Sequence, residues 1–414
     1  MAEYQVDYTT HYNDYYAKML SAKTFAKQLL PKKLYYLLVY LYRRILFHLP
    51  RILSGKPAGR WFQAKKEVIF IAGCSENSIQ RLSHYLDDLK PFKGYWFRRA
   101  SRVVIASSEY EEKSNKYFDG IPHFNIDHKT KHDDGWQYHR LLTSFSDAEL
   151  LDREQESRNR FENVLNSAIK KHRSGDSFVF GTGPSLCKAI DKKWAPGLRV
   201  VCNTIVKDPK LWHHINPDIL VAGDAIYHFG FTQYAQTFQK DAIARLKESN
   251  TYFIYPAIYD PYVRVRFKAV SEKLIPIKQA NCVNVHNVLK EQFRLPVLGN
   301  VLGLLLLPVA CAFGKKIHLW GFDGRAPNDK LFWSNSLQHS YSNLIPTLED
   351  AHPAFFSHYT GGKDPNKYVN DVHGETLDRA LMRAEESGYL FKMLHDTTNP
   401  SLLKRLSLTH TNND

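Results

Sequence analysis

The sequence has little cysteine, five residues in 414, and no Cys-x-x-Cys pair. A scattered, odd number of cysteines predicts free, mostly buried thiols in a reducing compartment rather than a disulfide framework. The opening stretch, MAEYQVDYTTHYNDYY, is polar and carries Glu3 and Asp7, which is not the composition of a secretory signal. These absences predict a cytosolic protein.

Acidic residues are missing from one long stretch, Ser21 to Lys66, which holds eleven basic residues. The whole chain has 56 basic and 42 acidic residues, so the remainder has 45 and 42, a net charge of +3 out of a total of +14. Most of the positive charge therefore lies in this one segment. Because no base-reading module is recognisable, a nucleic-acid partner is not predicted.

Long apolar runs of membrane-spanning length are also missing. The basic segment contains KKLYYLLVYLYRRILFHLPRIL, whose leucines follow helical spacing, but Arg43 and Arg44 interrupt it too early for a span. It predicts a basic amphipathic helix that lies on an anionic membrane surface. A helix docked on the protein's own core, with its basic side in water, is the alternative.

The order of apolar runs and turn residues predicts an α/β fold in two domains. Short strands alternate with helical segments over residues 67–145 and predict a small parallel α/β domain. A charged linking helix follows over 146–175. A larger domain over 176–406 has the candidate strands SFVFG, LRVVCN, ILVAG, YFIYP and KIHLWGF and one buried, kinked helix, Gly303–Phe313. Residues 1–66 are the basic segment and 407–414 a tail.

The stretch FVFGTGPSLCKAI joins a strand to a helix through two glycines. Gly181 and Gly183 let the backbone approach a ligand without a Cβ atom in the way, and Pro184 suits a first helical turn. Free N–H groups at a helix start attract anions, so the loop, with Thr182 and Ser185, predicts a phosphate site. An ordinary tight turn is the alternative.

Polar residues follow three further strands of the larger domain, namely Asn203, Asp224 and Asp323. In open α/β sheets ligands bind beyond the carboxyl ends of the strands, so we expect these residues and the glycine loop to converge on one crevice. An asparagine can pair with a ribose or a base, and a carboxylate can hold a hydroxyl, a metal or an attacking group.

These stretches carry a family resemblance. GTGPSL, VVCN and GNVLGLLLLPVACAFGKKIHLWGFDG resemble the bacterial sialyltransferases of glycosyltransferase family 42 and the related motility-associated (Maf-type) enzymes that transfer nonulosonic acids. FFSHYTGG and TTNPSLLKRL are similar to the end of the same family. The resemblance covers residues 177–406, and Gly-x-Gly-Pro-Ser-Leu is its most specific part.

The resemblance implies a GT-A-like (Rossmann-like) domain with a lid. Its activity would be the inverting transfer of a nonulosonic or related acidic sugar from a CMP donor, with no required cofactor, to a surface glycan or glycolipid. The basic segment before residue 67 would hold the enzyme peripherally on the inner face of the cytoplasmic membrane. The resemblance implies that the glycine loop and Asn203 hold the nucleotide. With the strand-end residues and the segment around Gly303, the candidate donor-binding residues are Gly181, Thr182, Gly183, Pro184, Ser185, Asn203, Asp224, Asn300, Gly303 and Asp323.

An inverting transfer needs a base for the acceptor hydroxyl, and histidine suits that role. The family has a histidine after His-Tyr-x-Gly, where this chain has Gly362, so the base is expected at His373 or His358. The departing phosphate needs hydrogen-bond donors. The candidates for it are Arg325, His339, Tyr341 and Tyr359.

Two other functions fit parts of this pattern. A diphosphokinase of the 6-hydroxymethylpterin type would use ATP and Mg²⁺ held by Asp224 or Asp323. A non-catalytic polysaccharide-assembly protein would keep the nucleotide fold and lack the base. Histidines and aspartates also cluster between His123 and Asp133, but that stretch is rich in turns and lacks helical i,i+4 spacing, so a metal site is not predicted there.

Overall fold

A computed structural model describes residues 69–86, 102–118, 120–324, 340–358 and 374–406, together with Pro31 and Leu34. Apart from Pro31 and Leu34, the basic helix predicted before residue 67 lies outside these residues, as does the tail after 406. The chain divides into two units: one comprises Met1–Ser83 and Asp87–Asn125, the other His84–Leu86 and Ile126–Asp414. The boundary at residue 125 comes earlier than the predicted boundary at 145.

The first unit contains a parallel sheet of three strands in the order β1-β2-β3. Ala72, Val103 and Ile105 form its apolar core. Ser75 begins the first helix, because its hydroxyl accepts the N–H of Ser78 at 3.2 Å, as expected for an N-cap. The elements are β1 (Ile69–Ala72), α1 (Glu76–Ser83), β2 (Arg102–Ile105), α2 (Ser108–Tyr117) and β3 (His123–Asn125). The predicted small parallel α/β sheet is confirmed.

The second unit contains a sheet of seven strands, all parallel. The strands are β4 (Asp176–Phe180), β5 (Leu198–Cys202), β6 (Ile219–Val221), β7 (Tyr252–Pro256), β8 (Leu274–Ile277), β9 (Lys316–Trp320) and β10 (Leu390–Met393). Their order across the sheet is β10-β9-β4-β5-β6-β7-β8. This open parallel arrangement is compatible with a Rossmann-like fold, and the five predicted strands are confirmed.

The two strands that the sequence pattern missed, β8 and β10, lie at the two edges of the sheet. Strand β8 contains Pro276, which has no N–H to donate and is tolerated at an edge. Strand β10 is short, and its exposed and buried residues alternate because one of its faces is open to water. Both features weaken the apolar run by which a central parallel strand is recognised.

The helices of the second unit connect these strands. They are α3 (Asp134–Lys171), α4 (Pro209–Ile215), α5 (Ala225–His228), α6 (Gln233–Glu248), α7 (Asp260–Arg266), α8 (Val288–Gln292), α9 (Leu307–Phe313), α10 (Ile345–Ala351), α11 (Pro353–Phe356), α12 (Thr376–Glu386) and α13 (Pro400–Leu403). Four short 3-10 helices also occur in the second unit, namely Asn203–Lys207, which follows β5, Ala257–Tyr259, Lys268–Lys273 and Ser342–Leu344. A fifth, Pro184–Asp191, follows the glycine loop.

Helix α3 differs from the helix predicted over 146–175. It begins at Asp134 and runs for 38 residues, and Phe161, Val164 and Leu165 pack in the core of the seven-stranded sheet. Its apolar residues form a narrow stripe among many charged residues, so the apolar periodicity is weak and the sequence predicted only a linking helix. The stripe makes α3 a part of the second unit, which is why the boundary falls before it.

The run Gly303–Phe313 is buried, as predicted. It starts as a π-helical turn, Leu302–Leu306, and continues as α9 with Pro308 in the first turn. The N–H of Leu307 donates to the carbonyl of Leu302, so the helix is continuous, and proline, which has no N–H to donate, is tolerated beside this irregular turn. The irregular turn thus stands where a kink was expected.

All five cysteines are free, and Cys74, Cys202 and Cys311 are buried, which confirms the prediction of unpaired thiols. Burial raises the pKa of Cys202 to about 12. Within the described ranges no helix is long and apolar enough to cross a bilayer.

Candidate functional site at the carboxyl edge of the sheet

The strand order reverses beside β4. From β4 the chain adds β5 to β8 on one side, and then crosses back to place β9 on the other side of β4. The carboxyl ends of β4 and β9 therefore flank the switch point, where open α/β sheets bind ligands. The loop Gly181–Ser185 follows β4, and the loop Gly321–Asp323 follows β9.

The glycines of the β4 loop let the two loops touch. The N–H of Gly181 donates to the carbonyl of Trp320 and that of Gly183 to the carbonyl of Gly321, both at 2.8 Å. A Cβ atom on Gly181 would lie 2.5 Å from the Gly321 oxygen, and one on Gly183 would lie 2.2 Å from Asp323 Oδ2. The glycines are therefore required by contacts within the protein, whether or not a ligand binds.

The carboxylate of Asp323 occupies the N–H group at which the sequence predicted a ligand phosphate. The N–H of Ser185 donates to Oδ1 at 3.1 Å and to Oδ2 at 3.2 Å, and the Ser185 hydroxyl lies 2.9 Å from Oδ2. Pro184 begins the 3-10 helix that follows, where an α-helix was expected. Thr182, between the two glycines, is half-buried.

His395 completes this cluster and was missed by the sequence pattern. Its Nε2 accepts the N–H of Gly321 at 2.8 Å and lies 2.8 Å from the Ser185 hydroxyl oxygen. An acceptor role for Nε2 leaves the proton on Nδ1, which is 2.7 Å from the carbonyl of Asp396. Burial lowers the pKa of His395, in keeping with a neutral ring. His395 follows β10, so recognising that edge strand would have marked it as a strand-end residue.

Asn203, after β5, has two unusual features. Its φ is +52°, in the left-handed region that few residues other than glycine adopt. Its side-chain Oδ1 is buried and has no hydrogen-bond partner among the residues that the structure describes. An unsatisfied buried acceptor costs about 1–3 kcal/mol, and such costs concentrate at functional positions. Asn203 is the predicted site residue that the structure marks most clearly.

Asp224, after β6, is half-buried and caps α5 by accepting the N–H of Ile226 at 3.1 Å. Burial raises the pKa of Asp224 to about 6, although the N–H groups of Ile226 and Tyr227 and the charge of His352 lower it in part. A carboxyl group with this pKa can take up and release a proton near neutral pH.

A buried histidine–aspartate pair stands near Asp224 and was not predicted. Nδ1 of His352 lies 2.9 Å from Asp134 Oδ1, and both side chains are 0% exposed. Nε2 of His352 is buried and has no hydrogen-bond partner in the described residues. Asp134 starts α3 and His352 lies between α10 and α11, so no local pattern links them.

Asn300 and Gly303, both predicted to bind the donor, make contacts within the protein that shape the π-helical turn. The side-chain oxygen of Asn300 accepts the N–H of Gly303 at 2.7 Å and so begins the π-helical turn. A Cβ atom on Gly303 would lie 2.7 Å from a methyl carbon of Leu298. The glycine thus allows a close approach by Leu298.

The predicted base and phosphate residues are only partly described. The hydroxyl of Tyr341 donates to Asp241 at 2.6 Å, so its proton is already engaged. The ring of His358 stacks on that of His132, with centroids 4.2 Å apart. The remaining candidates lie outside the described residues, namely Arg325, His339, Tyr359 and His373.

Among the described residues, which include the stretch His123–Asp133, no set of three or more histidine, cysteine, aspartate or glutamate side chains is arranged to hold a metal ion. Asp127, in its middle, instead accepts the N–H of Lys129 and the hydroxyl of Thr130.

Comparisons with protein-family models, with curated proteins and with solved structures find no match to this chain. The sheet topology and the side chains at its carboxyl edge are therefore the observations on which a function can be proposed.

Proposed function

We propose that the protein is a glycosyltransferase that binds a nucleotide-activated sugar along the carboxyl ends of β4, β5 and β6. The donor that we favour is a CMP-linked nonulosonic or related acidic sugar, because GTGPSL and the segments after it resemble the sialyltransferase family. An open parallel sheet with a switch point supports the proposal, since such sheets bind nucleotides at this edge.

The observation that carries the proposal is the buried, unsatisfied oxygen of Asn203. A carbonyl oxygen accepts hydrogen bonds only, so its complement is an N–H or O–H group of the ligand. Cytosine offers an exocyclic amine and ribose offers hydroxyls. Binding either one would satisfy the oxygen and recover the free energy that its burial costs.

Asp224 is the described group best placed to accept the proton of an acceptor hydroxyl. It lies one strand along from Asn203, it is half-buried, and its pKa is raised by burial to about 6. It is ionised at pH 7 and still basic enough to take a proton. His358 and His373 stay predictions for this role.

The finer features of the fold are part of the same proposal. A GT-A-like domain would carry a lid between Arg325 and His358, and the basic segment before residue 67 would hold the enzyme near lipid-linked acceptors on an anionic surface. Of the lid segment, residues 340–358 are described, and Lys207 donates to the carbonyl of Ser340 at 2.7 Å.

Calorimetric titration with CMP, UDP and GDP tests the proposal. Asn203→Gly removes the amide and relieves the positive φ, so it does not add backbone strain. We expect CMP to bind more tightly than UDP or GDP, and the variant to lose at least about tenfold in affinity, as for a lost buried hydrogen bond.

Asn216→Gly is the matched control for this test. Asn216 also has a positive φ, +49°, but it is exposed and ends α4. Its replacement should leave CMP binding unchanged. If CMP shows no advantage over UDP and GDP, or if both variants bind it alike, the donor assignment is wrong.

A further inference from the structure

The glycine loop, Gly181–Ser185, already holds an anion, the carboxylate of Asp323. Ser185 gives it both its N–H and its hydroxyl group. The main-chain carbonyl of Asp323 accepts the N–H of Thr398 at 2.7 Å, which fixes the residue from the other side. Asp323 is half-buried, so a ligand can reach it.

The charge of this cluster does not favour a phosphate. His395 donates through Nδ1 and accepts through Nε2, so it is neutral and leaves the carboxylate uncompensated. Lys188 lies close enough to His395 to lower its pKa, and Nζ of Lys192 is 5.8 Å from the centre of the Trp320 ring, but both lysines are exposed to water, which screens their charge. A phosphate in the loop would therefore meet a negative charge and an N–H group that is already engaged.

The same arrangement suits hydroxyl groups. An ionised carboxylate has about four lone-pair positions, and Ser185 does not use them all. The Ser185 hydroxyl can turn to accept or donate, and a carboxylate at a sheet's carboxyl edge is a general solution for holding ribose hydroxyls. Asn203 lies at the end of the next strand, on the other side of β4 from Asp323.

We propose that Asp323 and Ser185 bind the vicinal hydroxyls of the donor's ribose, and that the donor phosphate lies away from the glycine loop. The inference rests on the proposed nucleotide-sugar function and specifies which part of the donor each loop takes. In this arrangement the loop Gly-Thr-Gly-Pro-Ser binds ribose hydroxyls and not the phosphate that its sequence predicts.

Binding of CMP and of 2′,3′-dideoxy-CMP, measured by calorimetry on the full chain, tests the proposal. In the wild type the dideoxy compound should bind at least about tenfold more weakly, because the carboxylate of Asp323 is left without the hydroxyl partners that the ribose would supply. Asp323→Asn should weaken CMP about tenfold and bring the two ligands closer in affinity. Equal binding of both ligands by the wild type overturns the proposal without any variant.

The direction of the Asp323→Asn effect separates the two possible roles of the loop. If phosphate occupied the loop, removing the carboxylate charge would strengthen CMP binding, and that result overturns the inference. Asp208→Asn is the control for net charge, since Asp208 caps α4 by accepting the N–H of Leu211 at 3.0 Å, and it should change CMP affinity less than about twofold.

The outcomes also distinguish this inference from the function on which it rests. If the wild type binds no CMP, both fail. If CMP binds and Asn203→Gly weakens it, while Asp323→Asn strengthens it, the nucleotide-sugar function stands and only the ribose assignment is wrong.

Discussion

Replacing Gly183 by alanine tests how strongly the stability of the glycine loop, Gly181–Ser185, depends on Asp323. The φ of Gly183 is −70°, so alanine adds no backbone strain there. Its Cβ atom would lie 2.2 Å from Asp323 Oδ2 and 2.8 Å from the carbonyl oxygen of Gly321. Since real atoms do not approach so closely, the carboxylate must move away from Ser185.

The cost follows from the hydrogen bonds that this movement breaks. Ser185 donates an N–H and an O–H to the charged carboxylate, and bonds to charged groups contribute about 1.5–3 kcal/mol each. Asp323 is half-buried, so water replaces part of the loss. We expect the free energy of unfolding of the second unit to fall by about 2–4 kcal/mol, and Tm by about 4–8 °C.

Differential scanning calorimetry measures this change. Gly175→Ala is the control, because Gly175 has φ +68° with nothing within 4 Å of a Cβ atom, so it costs only about 1 kcal/mol of backbone strain. When Asp323 is already replaced by alanine, Gly183→Ala should lower the free energy of unfolding by at most about half as much as it does in the wild type. The reasoning is refuted if Gly183→Ala costs no more than Gly175→Ala, or if its cost is the same with and without the carboxylate.

Two further predictions concern the neighbouring acidic groups. Folding raises the pKa of Asp224 from 3.8 to about 6, so its stabilisation is full below about pH 4 and is lost as the pH rises to 6. Between pH 4 and pH 7, the free energy of unfolding of Asp224→Asn should therefore rise by about 1–3 kcal/mol relative to that of the wild type. Urea titrations that give the same difference between the two proteins at pH 4 and at pH 7 contradict this. His352→Leu should lower the free energy of unfolding by about 3–5 kcal/mol, because it leaves Asp134 buried without its partner. His352→Asn keeps an N–H donor and should be destabilised less. Equal thermal stability of these two variants would contradict the pairing.

The central strands were predictable because each is a short apolar run that ends in glycine, asparagine or aspartate, as VVCN and HLWGFD show. The edge strands were not, since Pro276 and the half-exposed LFKM weaken that pattern. Missing β10 also meant missing His395, which becomes a strand-end residue only once that strand is known. Helix α3 was placed too late because its apolar stripe is narrow among many charges.

The sequence by itself determined the α/β class, the five central strands and the polar residues that end them, because backbone preference and burial act over a few neighbouring residues. It also located the glycine loop. Only the tertiary structure decided what that loop holds, since Ser185 and Asp323 are 138 positions apart and meet because β9 pairs with β4. The pair His352 and Asp134, 218 positions apart, likewise meets only in the tertiary structure. Such contacts depend on strand order and register, which no local pattern specifies.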